Sequence, residues 1–451
     1  MASPPNSYAE QFVNAIFPAQ YKSGALGRDR YTSPAFFESE WENVFTKTWQ
    51  VAGRDVDIPE PGDYFTYELG PESFLIVRQE DGSIRAFYNV CQHRGNRLVH
   101  AMEGSQPSFT CDYHSWRWGI DGSLIAVQDE DDFTQGSPCG RLTLEEVRCE
   151  VFKTFIFINM DGGCIDLKTY LGPVWRQWQV YPIERMRRVA GLTVKLPSNW
   201  KALLDNFSEV YHFATVHAPF LDYMEDDYRD IGCEIFDEGH SHLLVKSGIP
   251  SRRHLSSGAP AIGQQLADEL PYWELDPADF GDRPMETRVA LQAQKRKLGP
   301  VRGRTHYDAM NDGQLTDVHH YTVFPNFAAG LHADGLLFHR LRPHASNPEI
   351  SYYDMRFYSV EGIPVEKSTS VARGAGWDDG EAPIEYVEYG EKSLGPLLDS
   401  DVATMATQQK GMRSRGYRGA ELADQEFRIA YYHHNIDRYI AGYRPGRTTG
   451  S

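Results

Sequence analysis

No segment of the 451-residue chain approaches the roughly 18–20 consecutive apolar residues that a membrane-spanning helix needs, so no membrane span is expected. The opening Met1-Ala2-Ser3-Pro4-Pro5-Asn6 is polar and lacks the basic-then-apolar order of a secretory signal. The expectation is a soluble cytoplasmic protein. Excess positive charge is lacking too: 45 Lys and Arg stand against 63 Asp and Glu, a formal net charge of −18. Nucleic-acid binders usually carry a basic footprint, so no nucleic-acid partner is expected. The acidity would suit a protein partner with basic patches, although it is more often a solubility feature. Cysteine is scarce, and six in so long a chain build no disulfide framework. Cys139, Cys149, Cys164 and Cys233 have no partner at a ligand-like spacing and read as ordinary small residues. Internal repeats are absent, and only Arg444 to Ser451 reads as a frayed tail.

What is present is the composition of a globular enzyme, 41% hydrophobic and 24% charged, with length enough for two cores. Residues 1–48 carry a mixed helical pattern, clearest in Phe36–Phe45, and are expected to pack on the second domain, residues 163–451. Residues 49–162 change to short β-branched and aromatic runs, Tyr64–Tyr67, Phe74–Arg78 and Ile84–Tyr88, and Phe152–Asn159 reads as the last strand. Pro61-Gly62-Asp63, Asp81-Gly82 and Asp121-Gly122 mark turns of a small antiparallel β domain. Residues 163–451 form a second domain. It opens with a helical segment at Asn199–His217 and a polar excursion at 218–316, a candidate lid with a helix near Val289–Lys297. Strands follow at Val318–Phe324, Leu336–Arg342 and Ile350–Tyr358, then a helical stretch at Ser400–Tyr443. The fold class is α+β.

Two constellations carry chemistry. Cys91-Gln92-His93-Arg94-Gly95 is followed by Cys111-Asp112-Tyr113-His114, with seventeen residues between His93 and Cys111. Two loops with one Cys and one His each offer the Cys₂His₂ set of a Rieske [2Fe–2S] cluster. Structural zinc uses the same ligands, but zinc-finger spacing pairs Cys with Cys and His with His. Downstream, Asp205, Glu209 and His212 stand at i, i+4 and i+7, one face of a helix if the helix is continuous. His217 follows His212 by about 140° of helical rotation, so both reach one metal only where the helix distorts or ends between them. Pro219 supports an ending. Two imidazoles and one carboxylate make the facial triad of non-haem Fe(II) oxygenases. Taken alone, such a stretch is more often a solvated or structurally paired face.

The pattern Cys-x-His-Arg-Gly, then Cys-x-x-His-x-Trp, resembles the Rieske domain of aromatic-ring-hydroxylating oxygenase α subunits, the Rieske non-haem iron oxygenases. The resemblance implies a cluster with Cys91 and Cys111 on the buried iron and His93 and His114 on the outer one, and it places Trp116 at the family's aromatic position. The family's acid-x3-acid-x2-His-x4-His pattern makes His212 and His217 ligands of a mononuclear Fe(II). Its second acid, usually Asp, bridges an iron-ligand histidine to a Rieske histidine of the neighbouring subunit. Here that position is Glu209, similar to the carnitine and glycine-betaine oxygenase branch. The triad's carboxylate falls a few residues before a Gln-x-Gly element, which implies Asp401, with Asp399 in reserve, ahead of Gln409-Lys410-Gly411.

The implied catalytic domain is an antiparallel sheet surrounded by helices, of the helix-grip type. The implied activity is that of a terminal oxygenase fed by a ferredoxin or flavin reductase with NAD(P)H-derived electrons. It would use O₂ to mono- or cis-dihydroxylate an aromatic or other hydrophobic substrate. Glu209 also admits oxidative demethylation or C–N cleavage of a quaternary ammonium or methylated compound. A head-to-tail homotrimer is implied, with or without a small β subunit (α₃β₃). A Rieske electron-transfer protein without oxygenase activity and a zinc-stapled binding protein remain as other classes. Phe207, Phe213, Phe220 and Phe324 are candidate pocket walls, though such aromatics are more often core. His319 and His320, beside a strand in Asp317–Asn326, are candidate pocket residues, though such histidines are more often satisfied core or edge residues, the reading that His100, His332, His339, His344, His433 and His434 also get.

Overall fold

Short runs of β-branched and aromatic residues build the first unit. In the computed structural model, which describes residues 26–362 and 380–446, the chain divides into two compact units. One comprises Glu38–Tyr170, Pro343–Asn347 and Gly442–Ser451, and the other holds Met1–Phe37, Leu171–Arg342 and Pro348–Ala441, as far as these are described. The N-terminal segment expected over 1–48 is thus split between the units at Phe37, and its first 25 residues lie outside the described residues.

The first unit carries strands β1 (Gln50–Arg54), β2 (Asp63–Leu69), β3 (Glu72–Arg78), β4 (Ile84–Tyr88), β5 (Glu103–Ser105), β6 (Ser108–Thr110), β7 (Arg117–Gly119), β8 (Leu124–Ala126), β9 (Glu146–Phe152) and β10 (Phe155–Asn159). Seven make one sheet, in the order β1-β10-β9-β4-β3-β2-β5, and β6-β7-β8 make a second. Phe74 to Val77 of β3 are wholly buried, and Tyr64, Leu75, Phe87, Trp116 and Trp118 enclose Cys91 and Cys111 in one core. The single strand expected over Phe152–Asn159 is a hairpin instead. Its turn, Lys153-Thr154, has φ of 52° and 72° at its two residues. Neither is a usual residue for a turn with left-handed φ, so the sequence carries no turn signal there.

The second unit is an eight-stranded sheet. Its strands are β11 (Met186–Leu196), β12 (Gly232–Ile235), β13 (Ser241–Val245), β14 (Val318–Val323), β15 (Phe327–His332), β16 (Gly335–Pro343), β17 (Ser351–Val360) and β18 (Glu385–Glu388). The order is β12-β13-β14-β15-β16-β17-β11-β18, with β18 parallel to β11. The stretch 218–316 is therefore not only an excursion. It supplies β12 and β13 at the sheet edge, where Leu243, Leu244 and Val245 are buried. Glu234, Ser241 and His242 interrupt the apolar alternation there, which hides both strands from a pattern reading.

Helix α1 (Trp200–Phe207) starts at Asn199, whose side chain accepts from the Lys201 N–H at 3.0 Å. α2 is the short turn Phe213–Val216, and α3 is Thr287–Leu298. The helical stretch expected over Ser400–Tyr443 is two helices, α4 (Pro396–Met412) and α5 (Phe427–Ile440), joined by a segment with Gly416 and Gly419. Leu398, Asp401, Val402, Met405 and Gln409 form the buried stripe of α4, at helical spacing. Gln409 Oε1 accepts from the Asn199 N–H at 2.8 Å, which fixes α4 to the start of α1.

Candidate metal centres

The downstream acid–histidine stretch does not stay helical. α1 stops at Phe207, where Ser208 N–H donates to Asp205 O and its hydroxyl to Leu204 O. Asp205, Glu209 and His212 therefore do not share a helical face, contrary to their spacing. His212 precedes α2 and His217 follows it with φ −115° and ψ 28°, outside the helical region. One helical turn between two irregular residues brings the imidazoles together, with ring centroids 4.9 Å apart. Asp401 arrives from α4. His217 Nε2 lies 3.0 Å and His212 Nε2 3.7 Å from the same Asp401 Oδ1. Two ligands on one metal, with bonds of about 2.1 Å, stand roughly 3–3.5 Å apart, so the three residues fit a mononuclear iron. Among the described residues, theirs is the one set of three or more such groups converging within 4.8 Å.

Neighbouring groups orient this set. Glu209 Oε1 is 2.6 Å from His212 Nδ1, and Glu209 Oε2 accepts the His212 N–H at 3.1 Å. Burial opposes protonation of His212, but the Glu209 hydrogen bond and the charges of Glu209 and Asp401 outweigh it and raise its pKa. Asn206 Nδ2 donates to Asp401 Oδ1 at 2.9 Å, a contact the sequence reading missed because Asn206 sits among acids and histidines without a ligand spacing. Asp399, the reserve carboxylate, is engaged elsewhere: it accepts the Leu394 N–H at 2.8 Å and the Ser393 hydroxyl at 2.5 Å, at the start of its own helix. Asp205 is held by Tyr31, whose hydroxyl donates at 2.6 Å, and by His433 at 3.1 Å. Arg428, buried on α5, donates to Ser208 O, Ser241 Oγ and Thr322 Oγ1, each at 3.1 Å. Burial lowers its pKa to about 10, against the opposing charges of Cys233 and Glu209.

Of the four candidate aromatics, Phe213 meets both His212 and His217 edge-on, and Phe220 meets His217. Phe207 lies 4.2 Å from the His339 ring, and Phe324 stacks on Tyr439 in the core. His319 is bonded to His242 Nε2 at 3.1 Å and His339 to the Tyr353 hydroxyl at 2.5 Å.

In the first unit the two Cys–His loops share one backbone plan. Gly95 N–H donates to Cys91 O and Ser115 N–H to Cys111 O, while Cys91 and Cys111 N–H donate to Asn96 O and Trp116 O. The residue four past each cysteine has positive φ, 75° at Gly95 and 56° at Ser115, so glycine removes the Cβ strain in one loop and the other loop bears it. The His93 and His114 rings lie 4.6 Å apart, and His93 stacks on Trp116 at 4.5 Å and 10°. Burial first, with help from His114 and Arg94, lowers the His93 pKa, while burial raises that of Cys91. The His114 Nδ1 is buried with no hydrogen-bond partner. A single tetrahedral zinc would draw all four ligand atoms together, yet among the described residues no three of them converge within 4.8 Å. A cysteine pair and a histidine pair, with an orphaned imidazole nitrogen, fit the two irons of a [2Fe–2S] cluster.

Comparison with known proteins agrees with both centres. Residues 48–143 match the Rieske [2Fe-2S] domain, and residues 183–442, more than half of the chain, match the ring hydroxylating alpha subunit (catalytic domain). The large oxygenase component of the naphthalene 1,2-dioxygenase system of Pseudomonas aeruginosa is 37% identical over 306 residues, covering 64% of this chain and 62% of that protein. The carnitine monooxygenase oxygenase subunit of Escherichia coli (strain K12) is 34% identical over 199 residues, 44% of this chain and 53% of that one. These alignments span between about half and three fifths of the relatives' own length. The crystal structure of a quaternary ammonium Rieske monooxygenase has the same fold, with a TM-score of 0.65 at 20% identity over 95% of this chain and 98% of that one. No helix among the described residues is long and apolar enough to cross a membrane. With its Rieske domain upstream and its histidine–carboxylate centre downstream, the chain belongs to the ring-hydroxylating alpha-subunit family of Rieske non-haem iron proteins.

Proposed function

We propose that the chain is the terminal oxygenase component of a multicomponent Rieske oxygenase, which uses O₂ and electrons from a ferredoxin or flavin reductase to hydroxylate an aromatic or other hydrophobic small molecule. The observation that carries this reading is the convergence of His212, His217 and Asp401 in a chain that also bears the Rieske loops. When bound, the cluster supplies single electrons and the mononuclear iron supplies activation of O₂. The protein's residues do the holding and aiming. Cys91, Cys111, His93 and His114 ligate the cluster, and His212, His217 and Asp401 ligate the iron. Glu209 accepts from His212 Nδ1, which leaves the Nε2 lone pair free to face the metal, and Asn206 steadies the Asp401 carboxylate. A head-to-tail homotrimer would let Glu209 reach a Rieske histidine of the neighbouring subunit, since heterologous contacts of that kind close into a ring.

Glu209, in place of the family's usual Asp, favours a second reading: oxidative demethylation or C–N cleavage of a quaternary ammonium compound, as the carnitine monooxygenase relative suggests. A single turnover of the reduced holoenzyme with a panel of arenes and quaternary amines tests both readings. Hydroxylated arene supports the first, and a demethylated amine or released aldehyde supports the second. Substrate left unchanged in every case, with both metal centres loaded, would refute both.

A further inference from the structure

His320 differs from the other histidines of the catalytic sheet. It lies on β14 paired with Leu243 on one side and Gly330 on the other. Leu243 packs with Val210, in the segment that carries the iron ligands, so alternation along β14 turns His320 to that same face. His319 points to the opposite face and has His242 as its partner. On the iron-site face, both ring nitrogens of His320 are shielded from solvent and neither has a hydrogen-bond partner. Leaving such a ring unsatisfied carries a desolvation cost that an apolar residue of similar size would avoid.

Aromatic rings stand around His320, and its strand neighbour Gly330 leaves the space of one methyl beside it, with the Leu337 side chain 3.6 Å beyond. Phe207 lies 6.1 Å and His339 6.4 Å from the His320 ring, and the Tyr353 hydroxyl already occupies His339 Nδ1. Tyr353 stacks on His339, and besides its burial the charge of Asp401 raises its pKa, so these rings stand near the iron-site carboxylate. Aromatic faces with one open polar edge suit a flat molecule bearing a polar group. The buried Arg428, hydrogen-bonded to Thr322 two residues along the same strand, disfavours a permanent cation there.

We propose that His320 hydrogen-bonds a ring hydroxyl or ring N–H of an aromatic substrate and so fixes which edge of the ring meets the iron. This rests on the aromatic reading of the activity given above. The neutral imidazole offers one donor and one acceptor, and a hydroxyl can answer either.

The test uses the iron-loaded holoenzyme and two probes of matched shape, 2-naphthol and 2-methylnaphthalene, with binding followed by titration calorimetry. The wild-type protein is expected to prefer 2-naphthol about tenfold, the worth of one neutral hydrogen bond. His320→Phe and His320→Leu are expected to abolish that preference, and His320→Gln to keep most of it, with cluster absorbance and iron content confirming that each variant folds. Equal binding of both arenes by the wild type, or a preference that survives in both apolar variants, overturns the role of His320 and leaves the aromatic reading standing. Binding of butyltrimethylammonium with no binding of either arene overturns both.

Discussion

Asp401 contributes one oxygen that both candidate iron histidines face, and Asn206 donates to that same oxygen. Asp401→Ala is expected to abolish mononuclear iron binding and turnover while the visible absorption of the cluster stays unchanged, since the cluster ligands belong to a separate unit. Glu209→Gln acts differently. It keeps the volume and weakens the hydrogen bond that orients His212, so iron and cluster content should hold while coupled turnover falls about 10–100-fold. Wild-type rates in that variant would refute the bridging role. The cluster ligands were legible in the sequence because one Cys and one His per loop has few other uses, whereas His212 and His217 became legible only beside those loops. The reserve Asp399 could not be set aside that way, because only the fold shows it bonded to Leu394 and Ser393. Asn206 was invisible and His320 stood only as one possible pocket residue, for a related reason: their significance is a shared or missing hydrogen-bond partner, not a spacing along the chain.

At the scale of elements, the strands built of apolar, β-branched and aromatic runs, β3, β4, β14 and β16, stand where the pattern reading expects them. Among those that were missed, β12 and β13 carry polar residues that break the pattern, and β9 and β10 are joined by a turn without turn residues. Lys153-Thr154 is the clearest case. A left-handed conformation costs an ordinary L-residue roughly 1–2 kcal/mol, less for Asn. Lys153→Asn is therefore expected to raise the stability of the Rieske unit by about 0.5–1 kcal/mol in urea unfolding. Thr154→Gly relieves similar strain but removes the hydroxyl that accepts from the buried Arg54 Nε at 2.9 Å, so it should gain nothing or lose stability. A larger gain from Thr154→Gly than from Lys153→Asn would contradict this account of the turn. The same lesson applies to α1. Its helical spacing suggests a continuous element, but the chain leaves the helix at Ser208 and thereby turns two histidines toward one point.

At the scale of the whole molecule, four buried histidines of the catalytic unit are held neutral. Burial pushes His242, His319 and His339 down to about 3, and His332 to about 4. A histidine whose folded pKa lies below its unfolded value of about 6.5 contributes full stability above that pH and loses it as the pH falls toward the folded value. Stability of the catalytic unit should therefore fall between about pH 6.5 and 4, each such group adding about 1.4 kcal/mol per pH unit to the slope. His332→Gln should make the fall shallower by one proton's worth, measured as urea midpoints at pH 7, 6 and 5. An unchanged slope would mean that His332 titrates normally in the fold.

The central claim is that one chain bears two chemically distinct iron centres. Its most direct test is iron and acid-labile sulfide analysis of purified wild-type protein beside Asp401→Ala. The account predicts about three irons and two sulfides per wild-type chain, and two of each in the variant, with the reduced Rieske resonance intact in both. Zinc in place of iron and sulfide, or loss of cluster and mononuclear iron together in the variant, would contradict it.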